Sequence, residues 1–547
     1  MKKLILCLLL LLAASTGRAH VGSPGVTFEG NAGPYKLLVN ITPPDVIPGT
    51  AAVTVFLEDA LQGVQISAKP VYWSVGADGT PQADAATPSV TQPGAYEVKI
   101  WFMSVGTSSI EVIVNGPKGK ASVIVPVMAV STAKRSMPAG LGWGLFAMAV
   151  FLVVLMVTII SASTGDSQLS PGQQMDKPLR VRRFIGGLSG LVILMLILWG
   201  GWSWWTAAAN NYNRYLYQPI QATTKVDAQT GVLTLSVDGN QLANIAQNWR
   251  MSVSRKMNYV VPDHGKLMHL FLIKAGDLDV FAHLHPRRVD SVTFVAKVPD
   301  MPAGRYFVYA DITRLSGFAE TIVDTLVIAD KVSTTLATTL LPDRDDAYYI
   351  SNPINSKTAT RTGAAICGSP GIETKLNDGS TAVWMQNPGD QLKAGELTQL
   401  RFEILGPDRK PALLEPYMGM MAHAVILKDD GSVYIHLHPP GSFSMGSQKA
   451  MLDRLAQHTA WDKYLPSSTA FADSINRFMT KLDAMGETER NELLMADMPH
   501  KATGDTGHKA HQISFPYTFP QPGKYRIWVQ AKRNGVILNS AFDATVK

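Results

Sequence analysis

Cysteine is nearly absent from this 547-residue chain, which has two. Cys7 lies inside an apolar leader, so Cys367 would stand alone after processing. No intramolecular disulfide can form, and exported domains must stand on their own hydrophobic cores. Two further patterns are missing: a Gly-rich phosphate loop and a nucleophile–base motif. An enzyme is therefore not expected. The formal net charge is +6, but the basic residues are scattered rather than patched, which argues against a nucleic-acid partner.

Charge is also absent from three apolar runs. The first, residues 4–14, follows Lys2-Lys3 and precedes Gly17-Arg18-Ala19. This is the pattern of a secretory signal peptide spanning residues 1–19, with His20 as the mature N-terminus. The other two, 141–162 and 184–205, are each about the 20 residues needed to cross a bilayer. Between them, 163–183 carries Lys177, Arg180, Arg182 and Arg183 against Asp166 and Asp176. The excess of Lys and Arg predicts a cytoplasmic loop, with both large flanking regions outside. The lipid bilayer is thus an expected partner. The expected location is the cytoplasmic membrane of a bacterium, facing the periplasm. Gly186 and Gly190, four apart, would let the two helices pack closely. With no ionisable residue in either span, an anchor is expected rather than an ion pathway.

The remaining chain is mainly β in pattern. Segments 35–41, 52–57 and 96–101 alternate apolar and polar residues between Pro/Gly/Asn turns, as half-buried strands do. The pattern recurs in 220–331 and in 371–547. Each region has a late strand announced by a glycine and a tyrosine: Gly94-Ala95-Tyr96, Gly304-Arg305-Tyr306 and Gly523-Lys524-Tyr525. Three immunoglobulin-like β-sandwich domains are expected, at 20–130, 220–331 and 371–547. Polar residues 332–370, with Asp343, Asp345 and Asp346, read as a linker. Within the third domain, 446–510 reads as a helical insertion. It contains helical spacing over 468–485 and 487–498, with Ser468 as N-cap.

One phrase occurs twice: His283-Leu284-His285-Pro286 and His436-Leu437-His438-Pro439. Each follows an earlier histidine, His269 by 14 positions and His423 by 13. The chain has only 12 histidines, and six fall in these two constellations. A hairpin turning at Gly276 puts His269 opposite His283, and one turning at Asp429-Asp430 puts His423 opposite His436. His285 and His438, two residues on, share those faces. Three imidazoles on such a patch can converge on copper, zinc or nickel. His264, just before the first strand, is placed to bend toward the same patch. Duplicated domains can also repeat a histidine that only packs or caps a hairpin. The second copy has softer company, with Met418, Met420, Met421 and Met445 near it and Met451, Met479, Met485, Met495, Met498, His458, His500, His508 and His511 in the insertion. Thioethers favour Cu(I). The candidate metal ligands are His269, His283, His285, His423, His436, His438, Met420, Met421, Met445 and, as a free N-terminal residue, His20. The helical methionines read as apolar packing.

The N-terminal segment His20-Val21-Gly22-Ser23-Pro24, with Phe28-Glu29-Gly30, resembles bacterial exported domains of the YtkA/FixH-like kind. The later segments resemble bacterial membrane proteins whose domains repeat the His-x-His-Pro phrase. The resemblance implies an immunoglobulin-like fold, an exported location, and an association with respiratory-oxidase maturation and metal handling. Similarity to copper-resistance proteins of the CopC kind is confined to the exported β-sandwich and His20. The second histidine of a CopC-like histidine brace is missing, since no other histidine precedes His264. The expectation is a membrane-anchored exported protein that binds copper ion for capture, buffering or delivery to a copper-receiving protein. The alternative is a metal-free scaffold or assembly factor for a respiratory or transport complex.

Overall fold

A computed structural model describes residues 20–21, 25–58, 63–77, 79–90, 92–133, 137–246, 256–330, 332, 340–354, 372–385, 391–457, 465–496 and 511–547. Cys367, His458, His500, His508, Met498 and the leader lie outside the described residues. The chain forms two compact units, Val130–Tyr217 and the remainder.

The smaller unit is a helical hairpin of α1 (Ala139–Gly165) and α2 (Lys177–Tyr215). Asp176 caps α2 by accepting from the Leu179 amide at 3.0 Å, so the loop ends before its basic residues, and Lys177, Arg180, Arg182 and Arg183 lie in the first turns of the helix, ahead of the apolar run. Both helices are long and apolar enough to cross a membrane, and their apolar side chains are turned outward. They approach closely at the paired glycines. A Cβ on Gly186 would lie 2.2 Å from Thr164 Oγ1, and one on Gly190 would lie 2.8 Å from Ile160.

The larger unit contains six sheets arranged as three β-sandwiches. Period-two burial over Tyr35–Thr42 turns Tyr35, Leu37, Val39 and Ile41 into the first core. The strands introduced by Gly-x-Tyr run Gly304–Arg314 and Gly523–Arg533 in the second and third domains. Tyr306 and Tyr525 are fully buried there, and each hydroxyl donates to the carbonyl four residues earlier.

In two of the sheets, alternation gives way to continuous burial. Every residue of Val280–Leu284 is buried, as are five of the six in His269–Lys274. The reason is that the second and third domains pack sheet against sheet. Leu270 and Leu272 face the core of domain two, and Ala424 and Ile426 that of domain three. Their neighbours Phe271, Ile273, Phe281 and Tyr309 meet Val425, Leu427, Tyr434 and Trp528 in a fourth apolar cluster between the domains. Each such large side chain taken from water contributes about 1.5–3 kcal/mol.

Among the described residues the insertion supplies α4 (Met445–Leu455), α5 (Ser468–Ala484) and α6 (Glu487–Ala496), with α3 (Gly239–Ala246) earlier in the chain. The sequence missed α4, whose Arg454 donates to the Trp73 carbonyl and whose Gln448 donates to that of Ile124. It thus ties domain one to domain three. Ser467, not Ser468, occupies the N-cap of α5, and it makes no side-chain cap bond. The expected linker is only partly one: Ala347–Ile350 pairs with Val280–Leu284 as an added strand of domain two.

Domain one and domain three also join through backbone. Gly441, at φ +145°, pairs with Phe28, and Ser442 donates to the Thr27 carbonyl at 3.1 Å. A Cβ on Gly441 would lie 2.0 Å from the Thr27 oxygen, a backbone atom with little room to move. Gly441→Ala should therefore destabilise the full chain by about 1–3 kcal/mol. Thermal unfolding in detergent measures this, and an unchanged transition would show that the junction yields without cost.

Candidate metal centre

Both histidine hairpins form, but in a different register from the expected one. Phe271 pairs with His283 and Val425 with His436, which places His269 across from His285 and His423 across from His438. The turns are centred later than Gly276 and Asp429-Asp430. Leu278, at φ +51°, extends the first turn, and Gly431, at φ +75°, closes the second. A slip of two residues keeps every side chain on its face, so the three histidines of each domain still share one surface.

That surface is the interdomain face, and the two triads meet across it. The ring centroids of His269 and His436 are 5.3 Å apart, and those of His283 and His436 5.6 Å. His264 joins them from a tight turn in which Asp263 and Lys266 exchange backbone hydrogen bonds of 2.8 and 2.9 Å. His264 and Gly265 both have positive φ in that turn. The His264 ring lies 4.5 Å from His438 and 5.5 Å from His423. All seven side chains are buried.

An approximate twofold exchanges the two domains, and the contacts come in pairs. His269 lies opposite Asp311 on the neighbouring strand, and His423 lies opposite Gln530. Each of these polar residues then reaches the other domain's first His-x-His ring. Gln530 Oε1 is 2.8 Å from His283 Nδ1, and Asp311 Oδ2 is 3.5 Å from His436 Nδ1. The aromatic stacks are exchanged the same way: Tyr309 on Tyr434 at 4.0 Å, and Trp528 on Phe281 at 5.0 Å.

These partners set the tautomers. In the four His-x-His rings, Nδ1 faces outward to an acceptor: Asp346 for His285 (3.0 Å), Gln530 for His283, Asp311 for His436, and the Phe443 carbonyl for His438 (3.2 Å). With Nδ1–H donating, Nε2 carries a lone pair pointing into the cluster. His269 is reversed. Its Nε2 donates to the Asp263 carbonyl at 3.1 Å, so its lone pair is on Nδ1. That atom lies 3.1 Å from His283 Nε2. Two lone pairs at this distance repel unless a proton or a metal ion sits with them. Nε2 of His285, His436 and His438 and both nitrogens of His264 and His423 are buried without a hydrogen-bond partner. His264 Nε2 passes 3.3 Å from Asp263 Oδ1.

Burial pushes His264, His269, His283, His423, His436 and His438 below the ordinary imidazole range, and their neighbours' charges push most of them further. Protonation is therefore a poor remedy for the facing lone pairs, whereas a metal ion uses them as ligands. Two groups of ring nitrogens lie within 4.8 Å of one another, His264/His423/His438 and His269/His283/His285, as do His285, Asp343 and Asp346. The acidic strip is tied down by cations. Asp345 takes Arg490 at 2.6 and 2.9 Å and Lys266 at 2.9 Å, and Lys266 also pairs with Asp343. Arg490 lies on α6, and Leu494 of that helix packs over Gly265, so the insertion covers this side of the centre.

The other expected ligands are elsewhere. Met420 and Met445 pack in the core cluster of domain one, and Met421 packs against that of domain three. Their sulfurs serve as apolar filler. Met479 also packs apolarly, against domain two. His511 pairs with Glu403 at 3.1 Å. His20 contributes backbone, since His20–Val21 pairs in parallel with Val433–Tyr434 on the hairpin's edge. Asp311, Gln530, Asp263 and Asp346 were missed. A signal for two of them was present: each lies five residues after the tyrosine that opens its strand, Tyr306 to Asp311 and Tyr525 to Gln530.

Residues 375–462, which hold His423, His436 and His438, match the family described as a domain of unknown function, DUF8832. No curated protein matches the chain significantly. Among solved structures, the FN1-FN3 domains of chicken CNTN1 are 7% identical, with 93% of this chain and 97% of that one covered and a TM-score of 0.13. A "Putative membrane anchored protein" from Corynebacterium diphtheriae is 10% identical, with 95% of each chain covered and a TM-score of 0.12. Values this low carry no argument about this protein.

The depressed histidines make stability pH-dependent. In the unfolded chain the rings titrate near 6.5; in the folded, metal-free chain six titrate lower. Between those values the unfolded state holds more protons, so stability falls as pH falls below about 6.5. Asp311, raised by burial to about 6, works in the opposite sense but is one group against six. The metal-free chain should lose thermal stability steadily from about pH 7 to pH 5. A flat profile would show that the rings are not held neutral.

Proposed function

We propose that this is a membrane-anchored, exported copper-binding protein whose ions sit in the polyhistidine centre between its second and third domains. The observation that carries the reading is the set of inward ring nitrogens. Outer partners orient His269 and the four His-x-His rings, burial holds six of the seven rings below the ordinary imidazole range, and Nε2 of His285, His436 and His438 has no hydrogen-bond partner. A carboxylate, amide or carbonyl stands behind His269 and each His-x-His ring, the arrangement that fixes tautomers in metal sites. Structural packing does not need it, because buried polar atoms left unpaired cost about 1–3 kcal/mol each.

The donors are all nitrogen, which suits copper, zinc or nickel, and among these the affinity order places Cu(II) highest. The thioether argument for Cu(I) no longer rests on Met420, Met421 or Met445, which pack elsewhere. Burial of every ligand favours retention, so capture and buffering suit the site better than rapid delivery. Export rests on the leader and on the basic loop between the two apolar helices.

Copper content of the purified full chain, after loading and exhaustive dialysis, tests the reading. Copper should remain bound, and the combined His423→Ala, His436→Ala and His438→Ala variant should lose at least the share held by the His264/His423/His438 group. Wild-type protein that is folded by circular dichroism yet retains no copper would overturn the proposal and return the metal-free scaffold.

A further inference from the structure

The approximate twofold reaches beyond the two triads to the turns that precede them. In domain two that turn is Asp263-His264-Gly265-Lys266, five residues before His269. In domain three, Tyr417-Met418-Gly419-Met420 stands five residues before His423 on the same plan. Tyr417 and Met420 exchange backbone hydrogen bonds of 2.6 and 3.2 Å, as Asp263 and Lys266 do. The second and third residues match in conformation: His264 and Met418 both have φ +52°, and Gly265 and Gly419 have φ +76° and +79°. A left-handed conformation at a long side chain is uncommon, and here it occurs at equivalent places in both domains. Met418 is thus the counterpart of His264.

His264 does not serve its own triad. It crosses to the other domain and joins His423 and His438. The same rotation carries Met418 toward the triad of domain two, His269/His283/His285. Contacts of the two turns agree with this exchange. Asp263 Oδ1 accepts from Gly446 N in the segment whose Phe443 carbonyl holds His438. Tyr417 donates to the Asp345 carbonyl at 2.7 Å, beside the Asp346 that holds His285. Met418 is only 1% exposed. Unlike Met420, Met421 and Met445, it belongs to none of the apolar clusters among the described residues.

We propose that Met418 is a thioether ligand to the metal ion held by His269, His283 and His285. The proposal rests on the polyhistidine centre being a metal site. It makes the centre a pair of unlike sites. One is all nitrogen, with His264, His423 and His438; the other has three nitrogens and one sulfur. A thioether is soft and neutral, so it favours Cu(I) in the second site, whereas imidazoles alone accept Cu(II) equally well.

The test uses the full chain in detergent, loaded with Cu(I) under anaerobic conditions. X-ray absorption at the copper edge should show a sulfur scatterer beside the nitrogen shell. Met418→Leu, similar in shape and as able to fill the turn, should remove the sulfur and weaken Cu(I) binding roughly tenfold or more. Cu(II) loading by the same variant should stay within about twofold, which also reports that it is folded. A wild-type shell without sulfur, or a sulfur that persists in Met418→Leu, overturns the proposal while leaving copper binding intact. If Met418→Leu cannot be loaded with Cu(II), Met418→His, which copies His264, should bind copper with no sulfur in the shell; sulfur there overturns the proposal. No copper in the wild-type protein overturns both this proposal and the functional reading beneath it.

Discussion

The structure depends on the face-to-face packing of two sheets, one from each of the last two domains. Each sheet already covers the core of its own sandwich, so the contact leaves both of its faces dry. The residues that drive it are ordinary: Phe271, Phe281 and Tyr309 against Val425, Tyr434 and Trp528. Their consequence is chemical. The same face that carries these rings carries the histidines farther along each strand, so closing the apolar contact takes seven imidazoles out of water. In solvent each would titrate near neutrality; here burial keeps six of them unprotonated.

Burial alone would be a penalty without compensation. The outer shell turns it into a site by giving each His-x-His ring one acceptor, and for the first ring of each pair that acceptor comes from the other domain. Gln530 orients His283, and Asp311 stands behind His436. Neither domain could preorganise its own triad alone, because each lacks the residue that fixes one of its tautomers. The apolar contact and the polar centre are therefore coupled: separating the sheets would expose the aromatic cluster and release the histidines together.

Much of this was legible in the sequence, and the failures are physical. Period two assigned His269, His283 and His285 to one face, and a slip of two residues left that assignment intact. The register itself was hidden because Leu278 takes a positive φ that only the folded turn reveals. Which faces meet was harder still, since nothing in the spacing names a partner. The continuous run Leu270-Phe271-Leu272-Ile273 is the pattern of a strand dry on both sides, a signal that was present but not used. Met420 and Met445 misled because a thioether near a histidine in sequence is also good filler, and a core next door claimed them. Asp343, Asp345 and Asp346 looked like part of a polar linker, yet Lys266 and Arg490 hold Asp343 and Asp345, and Asp346 reaches His285.

Repetition was the stronger guide where it was followed far enough. Two copies of four residues suggested the centre, but the copies extend in both directions. Five residues before each first histidine stands the same left-handed turn, and five after each strand-opening tyrosine stands the residue that supports the other domain's ring. The differences between the copies are then informative. Where one domain has Asp311 the other has Gln530, and where one has His264 the other has Met418. A duplicated scaffold with these substitutions presents two environments of different charge and softness within one buried volume. Unlike environments in contact are what a pair of identical domains would not produce, so the divergence of the copies at these positions sets the two halves of the centre apart, while the shared histidines keep them alike.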